Sequence, residues 1–248
     1  MHKREGVYFN CFSPPVMLAT LTVESAMAVY TLWRYKMTEL TRLITAMLLG
    51  LAAFQLAEYN VCTNYSHHPV DWSRFGFVMI TALPPLGVHI MHVLAGKPGR
   101  RLVVFSYATM AAFMSFFLFS ATAFTGHQCT GNYVIYQFSP KVTGTYSVYY
   151  YGWLITGIFL GLRWANQFME QKGRAARRKL EAVRGLIVGY LVFLVPVAVV
   201  NTIKPSTRQG IPSIMCGFAV LLALILTLYI LPRTAEVKDT ESLNLTKA

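Results

Sequence analysis

The sequence predicts an all-α integral membrane protein: a polytopic bundle of seven transmembrane helices with its N-terminus out and its C-terminus in the cytoplasm. Three observations support this prediction. Of the 248 residues, 55% are hydrophobic and only 13% are charged, which is too apolar for an ordinary soluble domain. Apolar segments close to the roughly 20 residues that cross a bilayer core use up nearly all of the chain. Lys and Arg residues are distributed unequally between alternate connections.

The predicted spans are bounded by polar, Gly or Pro clusters and show no internal repeat. They cover residues 14–33, 40–58, 75–95, 102–124, 146–164, 186–203 and 211–231, and residues 232–248 form a cytoplasmic tail. We therefore expect a single membrane domain over 1–248. The polar start of the chain does not look like a cleaved signal peptide. The fifth span opens with a Tyr- and Trp-rich run that is typical of an aromatic belt at a membrane surface.

The basic residues give the predicted orientation. Of the 22 Lys and Arg residues, sixteen lie at the connections after odd-numbered spans or in the tail, and six lie on the other side. The positive-inside rule thus places the C-terminus in the cytoplasm, and we expect a plasma (inner) membrane location. Topology also explains the net charge of +12, so nucleic acid is not an expected partner. The basic connection 166–184 has three possible interpretations. It is a solvent-exposed loop whose charges only set the orientation, a helix lying on anionic lipid, or a docking surface for a cytoplasmic or membrane protein partner.

Two cysteines fall on the predicted outer side, after the second and fourth spans. Cys62 and Cys129 are candidates for a disulfide there, because an extracytoplasmic compartment permits oxidation. Cys11 and His127 lie on the same side and are candidate metal ligands, although no established ligand spacing is present. Free cysteines and solvated histidines are the alternative. No cofactor is indicated.

Ionisable and amide side chains within the predicted spans are the best pointers to function, because burying them in lipid is costly. Glu24 sits midway along the first span, and His89 and His92 lie one turn apart on the third at a similar depth, so we expect these residues to meet. Gln55 and Glu58 share one face near the outer end of the second span. These five residues form a predicted ligand-binding polar core. The alternative is that they only form hydrogen bonds between helices.

The third span contains the pair Pro84-Pro85, which predicts a helix kink. Together with Trp72-Ser73-Arg74-Phe75-Gly76 and the run from His89 to Gly96, this span resembles the third helix of the seven-helix sensor regions of bacterial histidine kinases. That resemblance implies a sensor that lacks the kinase and signals through another protein. Cys11-Phe12-Ser13 and Gln55-Leu56-Ala57-Glu58 resemble segments of small uncharacterised bacterial membrane proteins, a likeness that implies no activity.

These observations favour a heptahelical, receptor-like membrane sensor that binds a small ligand, lipid or pigment within the bundle and signals through a partner. The alternatives are a metal- or cofactor-dependent membrane enzyme, a proton-coupled carrier, and an accessory subunit of a membrane complex. An enzyme is the less favoured class, because no nucleotide loop, catalytic triad pattern or HExxH motif is present. A pigment Schiff base is disfavoured, because the seventh span has no Lys.

Overall fold

The computed structural model describes residues 14–62, 69–124, 126–129, 134–203 and 211–238, which form a helical bundle. Seven helices and a short hairpin make up this part of the chain. The helices are α1 (Pro14–Arg34), α2 (Glu39–Cys62), α3 (Pro69–Ala95), α4 (Arg100–Phe119), α5 (Pro140–Met169), α6 (Arg174–Ile203) and α7 (Ile211–Leu224). The last helix continues through a π-helical segment, Ile225–Ile230, into a final turn, Leu231–Thr234.

Six of the seven helices in the described part of the chain are long and apolar enough to cross a membrane. α5 is the helix that does not meet this criterion. α5 is no shorter than the others, but tyrosine and hydroxyl side chains lower the hydropathy of its first half. Because helices satisfy their own backbone hydrogen bonds, such a bundle suits a lipid environment. The prediction of a helical bundle is therefore confirmed, and six of its helices have the length and hydropathy of membrane spans.

α2 and α3 pack along each other and are the most buried helices of the bundle. α3 also contacts α4, α5 and α6, whereas α1 packs on α2 and α7. α1 and α4 lie at the edge and bury the smallest share of their residues. The apolar side chains that α4 leaves exposed are typical of a surface facing lipid.

A two-stranded antiparallel hairpin follows α4, which the all-α prediction did not include. β1 (Gly126–Cys129) pairs with β2 (Val134–Gln137), so that Cys129 lies opposite Val134. Cys129 is bonded to Cys62 at the end of α2, which confirms the predicted disulfide. We call this end of the bundle the disulfide end.

α4 ends at Phe119, although the apolar pattern predicted a span as far as residue 124. Ser120 is extended, and its hydroxyl accepts a hydrogen bond from the backbone N–H of Thr122, which competes with a further helical turn. The guanidinium group of Arg74 donates to the carbonyls of Phe117 and Leu118, both at 2.9 Å, and so caps the helix. These polar contacts stop the helix inside an apolar run.

At the opposite end, the chain after α7 docks onto the connection between α1 and α2. Tyr35 forms a β-bridge with Val237, and the backbone N–H of Lys36 donates to the carbonyl of Glu236 at 2.8 Å. The Lys36 ammonium group lies 3.3 Å from the Glu236 carboxylate. We call this the tail end. Residues 239–248 of the predicted tail lie outside the described residues.

α6 begins at Arg174, well before the predicted start of its span at residue 186. The second half of the basic connection 166–184 is therefore the first three turns of α6, and the first residues belong to the end of α5. The connection between the two helices is only a few residues long. Most of its charge is carried on helices.

Candidate functional site

A cavity of about 770 Å³ lies where the hairpin, α3, α4, the first half of α5 and the start of α7 meet. Seven of its sixteen lining residues are aromatic, namely Phe77, Phe117, Tyr136, Phe138, Tyr146, Tyr150 and Tyr151. Thr143 and Ser147 add hydroxyl groups, and no charged side chain lines the cavity among the described residues. A cavity of this size and chemistry falls in the range of small-molecule sites.

Phe77 of α3 holds the aromatic wall together. Its ring centre lies 4.8 Å from that of Phe138 and 4.9 Å from that of Tyr136, both in edge-to-face geometry. Such pairs contribute roughly 0.5–1.5 kcal/mol each beyond their buried area. The hairpin is therefore fixed to the bundle by edge-to-face ring contacts as well as by the Cys62–Cys129 bridge.

The cavity wall connects directly to the proline pair of α3. α3 remains helical through Pro84 and Pro85, but Pro85 has no N–H for the carbonyl of Thr81. The Tyr149 hydroxyl of α5 donates to that carbonyl at 2.7 Å instead. The Tyr146 hydroxyl lies 3.1 Å from the side-chain oxygen of Thr81. Tyr149 thus satisfies one of the two carbonyls that the proline pair leaves unpaired, and Tyr146 contacts the side chain of the same residue.

Tyr146, Tyr149 and Trp153 were expected to form an interfacial belt, but they are buried. Residues 146, 149, 150 and 153 are three or four positions apart and so share one helix face. That face turns inward, where the indole N–H of Trp153 donates to Thr109 at 3.0 Å. The spacing of these residues indicates one buried face, whereas their composition alone is equally typical of a membrane interface.

Glu24 of α1 lies near Glu58 of α2, and Gln55 shares a helix face with Glu58. Glu24, Gln55 and Glu58 are all buried, and Glu24 and Glu58 are close enough for their charges to interact. Neither carboxyl oxygen of Glu24 has a hydrogen-bond partner among the described residues, nor does the Gln55 amide nitrogen. The cluster also reaches the hairpin, because burial and the nearby Glu58 carboxylate raise the pKa of Tyr136 well above its usual value.

His89 was expected to contact Glu24, but its partners are two other side chains near the tail end. Its Nε2 lies 3.2 Å from the Glu39 carboxylate at the start of α2, and its Nδ1 lies 3.1 Å from the Tyr107 hydroxyl of α4. His92 bonds to the Val88 carbonyl of its own helix at 2.9 Å. The hydrogen-bond partners of both histidines therefore lie outside the carboxyl cluster, and the two side chains have different partners.

Of the two candidate metal ligands, only His127 lies within the described residues. Within the described residues, no group of three or more His, Cys, Asp or Glu side chains is placed to hold a metal ion. Cys129 is part of the disulfide, and His127 pairs across the hairpin with Tyr136. Cys11, with the Cys11-Phe12-Ser13 segment, lies outside the described residues.

The fold and cavity define a helical-bundle membrane protein with an aromatic cavity near one end. The sequence matches no protein-family model, and no curated protein is significantly similar to it.

Proposed function

We propose that this protein is a seven-helix, receptor-like membrane sensor that binds a neutral, largely apolar small molecule in the aromatic cavity. In this proposal α5 also crosses the membrane, which brings the number of spans to seven. The protein lies in the plasma (inner) membrane, with its N-terminus outside and its C-terminus in the cytoplasm. One observation supports this proposal most strongly. Tyr146 lines the cavity and also contacts Thr81, which lies one helical turn before the proline pair.

The lining of the cavity indicates the chemical class of the ligand. Rings dominate the walls and no charged side chain is present among the described lining residues, so an ionised ligand would lose its hydration without compensation. The hydroxyl groups of Thr143 and Ser147 can bond one or two polar atoms. A neutral molecule with a ring system and a carbonyl or hydroxyl group fits best.

Ligand entry would act on α3 through α5. A molecule that presses on the Tyr146 ring displaces its hydroxyl from Thr81, and Tyr149, one turn on, holds the carbonyl that Pro85 leaves unpaired. The helix is weakest there, because the proline pair removes two helical hydrogen bonds. A small rearrangement of the tyrosines would thus shift the balance between two arrangements of α3.

The tail end would report the change to a partner. α5 runs from the cavity to Met169, and α6 begins with a basic segment at Arg174. The resemblance of the third helix to sensor regions of histidine kinases supports a signalling role that another protein completes. The partner would dock on 166–184.

Filling the cavity tests ligand binding directly. A Cβ on Gly144, in the cavity wall, meets no atom within 4 Å, and neither does one on Gly152 of the same helix, outside the wall. Benzophenone, a neutral two-ring photocrosslinker, is the probe, and labelled peptides are mapped by mass spectrometry. We expect labelling of residues 142–151 in the wild type and in Gly152→Trp, and at least roughly tenfold less in Gly144→Trp, because an indole occupies the site. Equal labelling of the two variants would contradict the proposal.

A proton-coupled carrier is a second candidate, favoured by the buried and unbonded carboxyl group of Glu24. Proteoliposomes that contain a pH-sensitive dye measure proton entry under an imposed potential. A carrier of this kind predicts proton entry in the wild type and its loss in Glu24→Gln, which keeps the size of the side chain but cannot release a proton. Identical traces for the two proteins would exclude the role of Glu24.

A further inference from the structure

The aromatic cavity has α5 on one side and the start of α7 on another. α5 contributes lining residues between 142 and 151, and α7 contributes Ile211, Pro212 and Met215. α6 packs on both helices, but α5 and α7 are not themselves a closely packed pair in the described part of the chain. No described residue of α6 lines the cavity. At the level of the cavity, therefore, no described helix fills the space between α5 and α7.

A side-chain contact joins the two helices at the inner end of this space. The Tyr151 hydroxyl donates to the Met215 sulfur at 3.6 Å. A second, small void of about 20 Å³ follows further along the same helices and shares Tyr150 and Met215 with the cavity. The Tyr151–Met215 contact therefore marks the inner limit of the larger cavity.

Gly144 lies at the rim of the cavity on the α5 side. It lines the cavity and is exposed, as is Thr143 beside it. A Cβ on Gly144 would meet no atom within 4 Å. The wall of the cavity is therefore open beside Gly144.

The surface next to this opening is apolar. Val148, one turn after Gly144, is 76% exposed, and Ile155 on the same helix face is 62% exposed. Exposed aliphatic side chains along a membrane-spanning helix face lipid. No charged side chain lines the cavity among the described residues, so the opening adjoins a lipid-facing surface without a polar barrier.

We propose that the ligand of the aromatic cavity is a membrane-dissolved molecule that enters sideways, between α5 and α7, from the lipid leaflet at the disulfide end. This inference rests on the proposed function, because it concerns the same cavity. A neutral molecule with a ring system is concentrated in lipid, because its apolar surface is transferred out of water. The opening beside Gly144 then leads it from the membrane to the rings of Tyr146 and Tyr150.

Two benzophenone conjugates test the route in liposomes that contain the purified protein. One is a phosphatidylcholine that carries benzophenone on a short acyl chain and is confined to the membrane. The other is benzophenone attached to dextran, which stays in the water on both sides of the membrane. Tandem mass spectrometry assigns the label to single residues. We expect the lipid conjugate to label Tyr146 and Tyr150, and the dextran conjugate to label neither.

Two variants and one internal control accompany the labelling. In Gly144→Trp the indole blocks the opening, so label on Tyr146 and Tyr150 from the lipid conjugate should fall about tenfold. Gly152→Trp should keep this label, because Gly152 also has free space around its Cβ but lies outside the wall. Val148 faces lipid and should be labelled equally in every variant. Melting temperatures close to that of the wild type show that the variants are folded.

Three results would overturn the proposal. Label on Tyr146 or Tyr150 from the dextran conjugate would show that the ligand arrives from water. Undiminished label in Gly144→Trp would place the entrance elsewhere. Absence of label from the lipid conjugate, while free benzophenone still labels residues 142–151, would exclude the sideways route and leave the proposed ligand site intact. Failure of free benzophenone as well would remove the ligand site itself.

Discussion

Replacing Gly87 with Ala is expected to destabilise the bundle by about 2–3 kcal/mol, because overpacking a tight helix contact forces backbone shifts. A Cβ on Gly87 of α3 would overlap the hydroxyl oxygen of Tyr190 and lie 3.0 Å from the ring carbon that carries it. Tyr190 belongs to α6 and is 1% exposed, so its rigid ring has no free space to enter. Thermal unfolding of the purified protein should show a melting temperature lower by roughly 5–10 °C.

A second substitution separates this packing effect from other causes. The Tyr190 hydroxyl has no hydrogen-bond partner among the described residues, so Tyr190→Phe should be neutral or slightly stabilising. In Gly87→Ala/Tyr190→Phe the overlapping atom is gone, and at least half of the lost stability should return. Gly152→Ala is the control, because a Cβ there meets no atom within 4 Å. Strictly additive effects of the two substitutions would show that the contact between α3 and α6 is not as described.

Removing the disulfide with Cys62→Ser/Cys129→Ser is expected to lower the free energy of unfolding by about 2–4 kcal/mol. The bridge closes a sequence separation of 67 residues, and it also fixes the hairpin that contributes Tyr136 to the cavity. Benzophenone labelling of residues 142–151 should therefore fall together with the melting temperature.

Reduction of the bridge provides the comparison for this variant. Dithiothreitol should lower the melting temperature of the wild type but leave Cys62→Ser/Cys129→Ser unchanged. Cys216, which is free and buried in α7, is not in the bridge, so Cys216→Ala should retain the response to dithiothreitol. A wild type whose melting temperature does not respond to the reductant, although mass spectrometry shows that Cys62 and Cys129 are both free thiols, would contradict a stabilising role for the bridge.

Hydropathy predicted the positions of the helices well, because the length of an apolar segment is a local property. α2 was expected over 40–58 and extends over Glu39–Cys62. The larger errors come from local polar contacts: Ser139 caps α5 by accepting from the backbone N–H of Val142 at 3.4 Å, and this helix therefore begins at Pro140, six residues before the predicted span.

The candidate site was less predictable, because the depth of a residue along its helix does not reveal which neighbour it faces. Glu24 and His89 were expected to meet at similar depth, yet Glu24 lies with Glu58, and His89 bonds to Glu39 at the tail end. The hairpin was missed for a different reason. Two four-residue strands carry too short a pattern to be recognised, and tertiary stacking on Phe77 decides their conformation.

The benzophenone peptide map of Gly144→Trp beside Gly152→Trp is the most direct measurement of whether the aromatic cavity is a ligand site. A cavity that accepts small neutral molecules predicts that label on residues 142–151 disappears in Gly144→Trp alone, while label on lipid-facing peptides stays constant. If the same segment is labelled as strongly with an indole in the cavity wall, the molecules do not enter there, and a receptor built around this cavity is excluded.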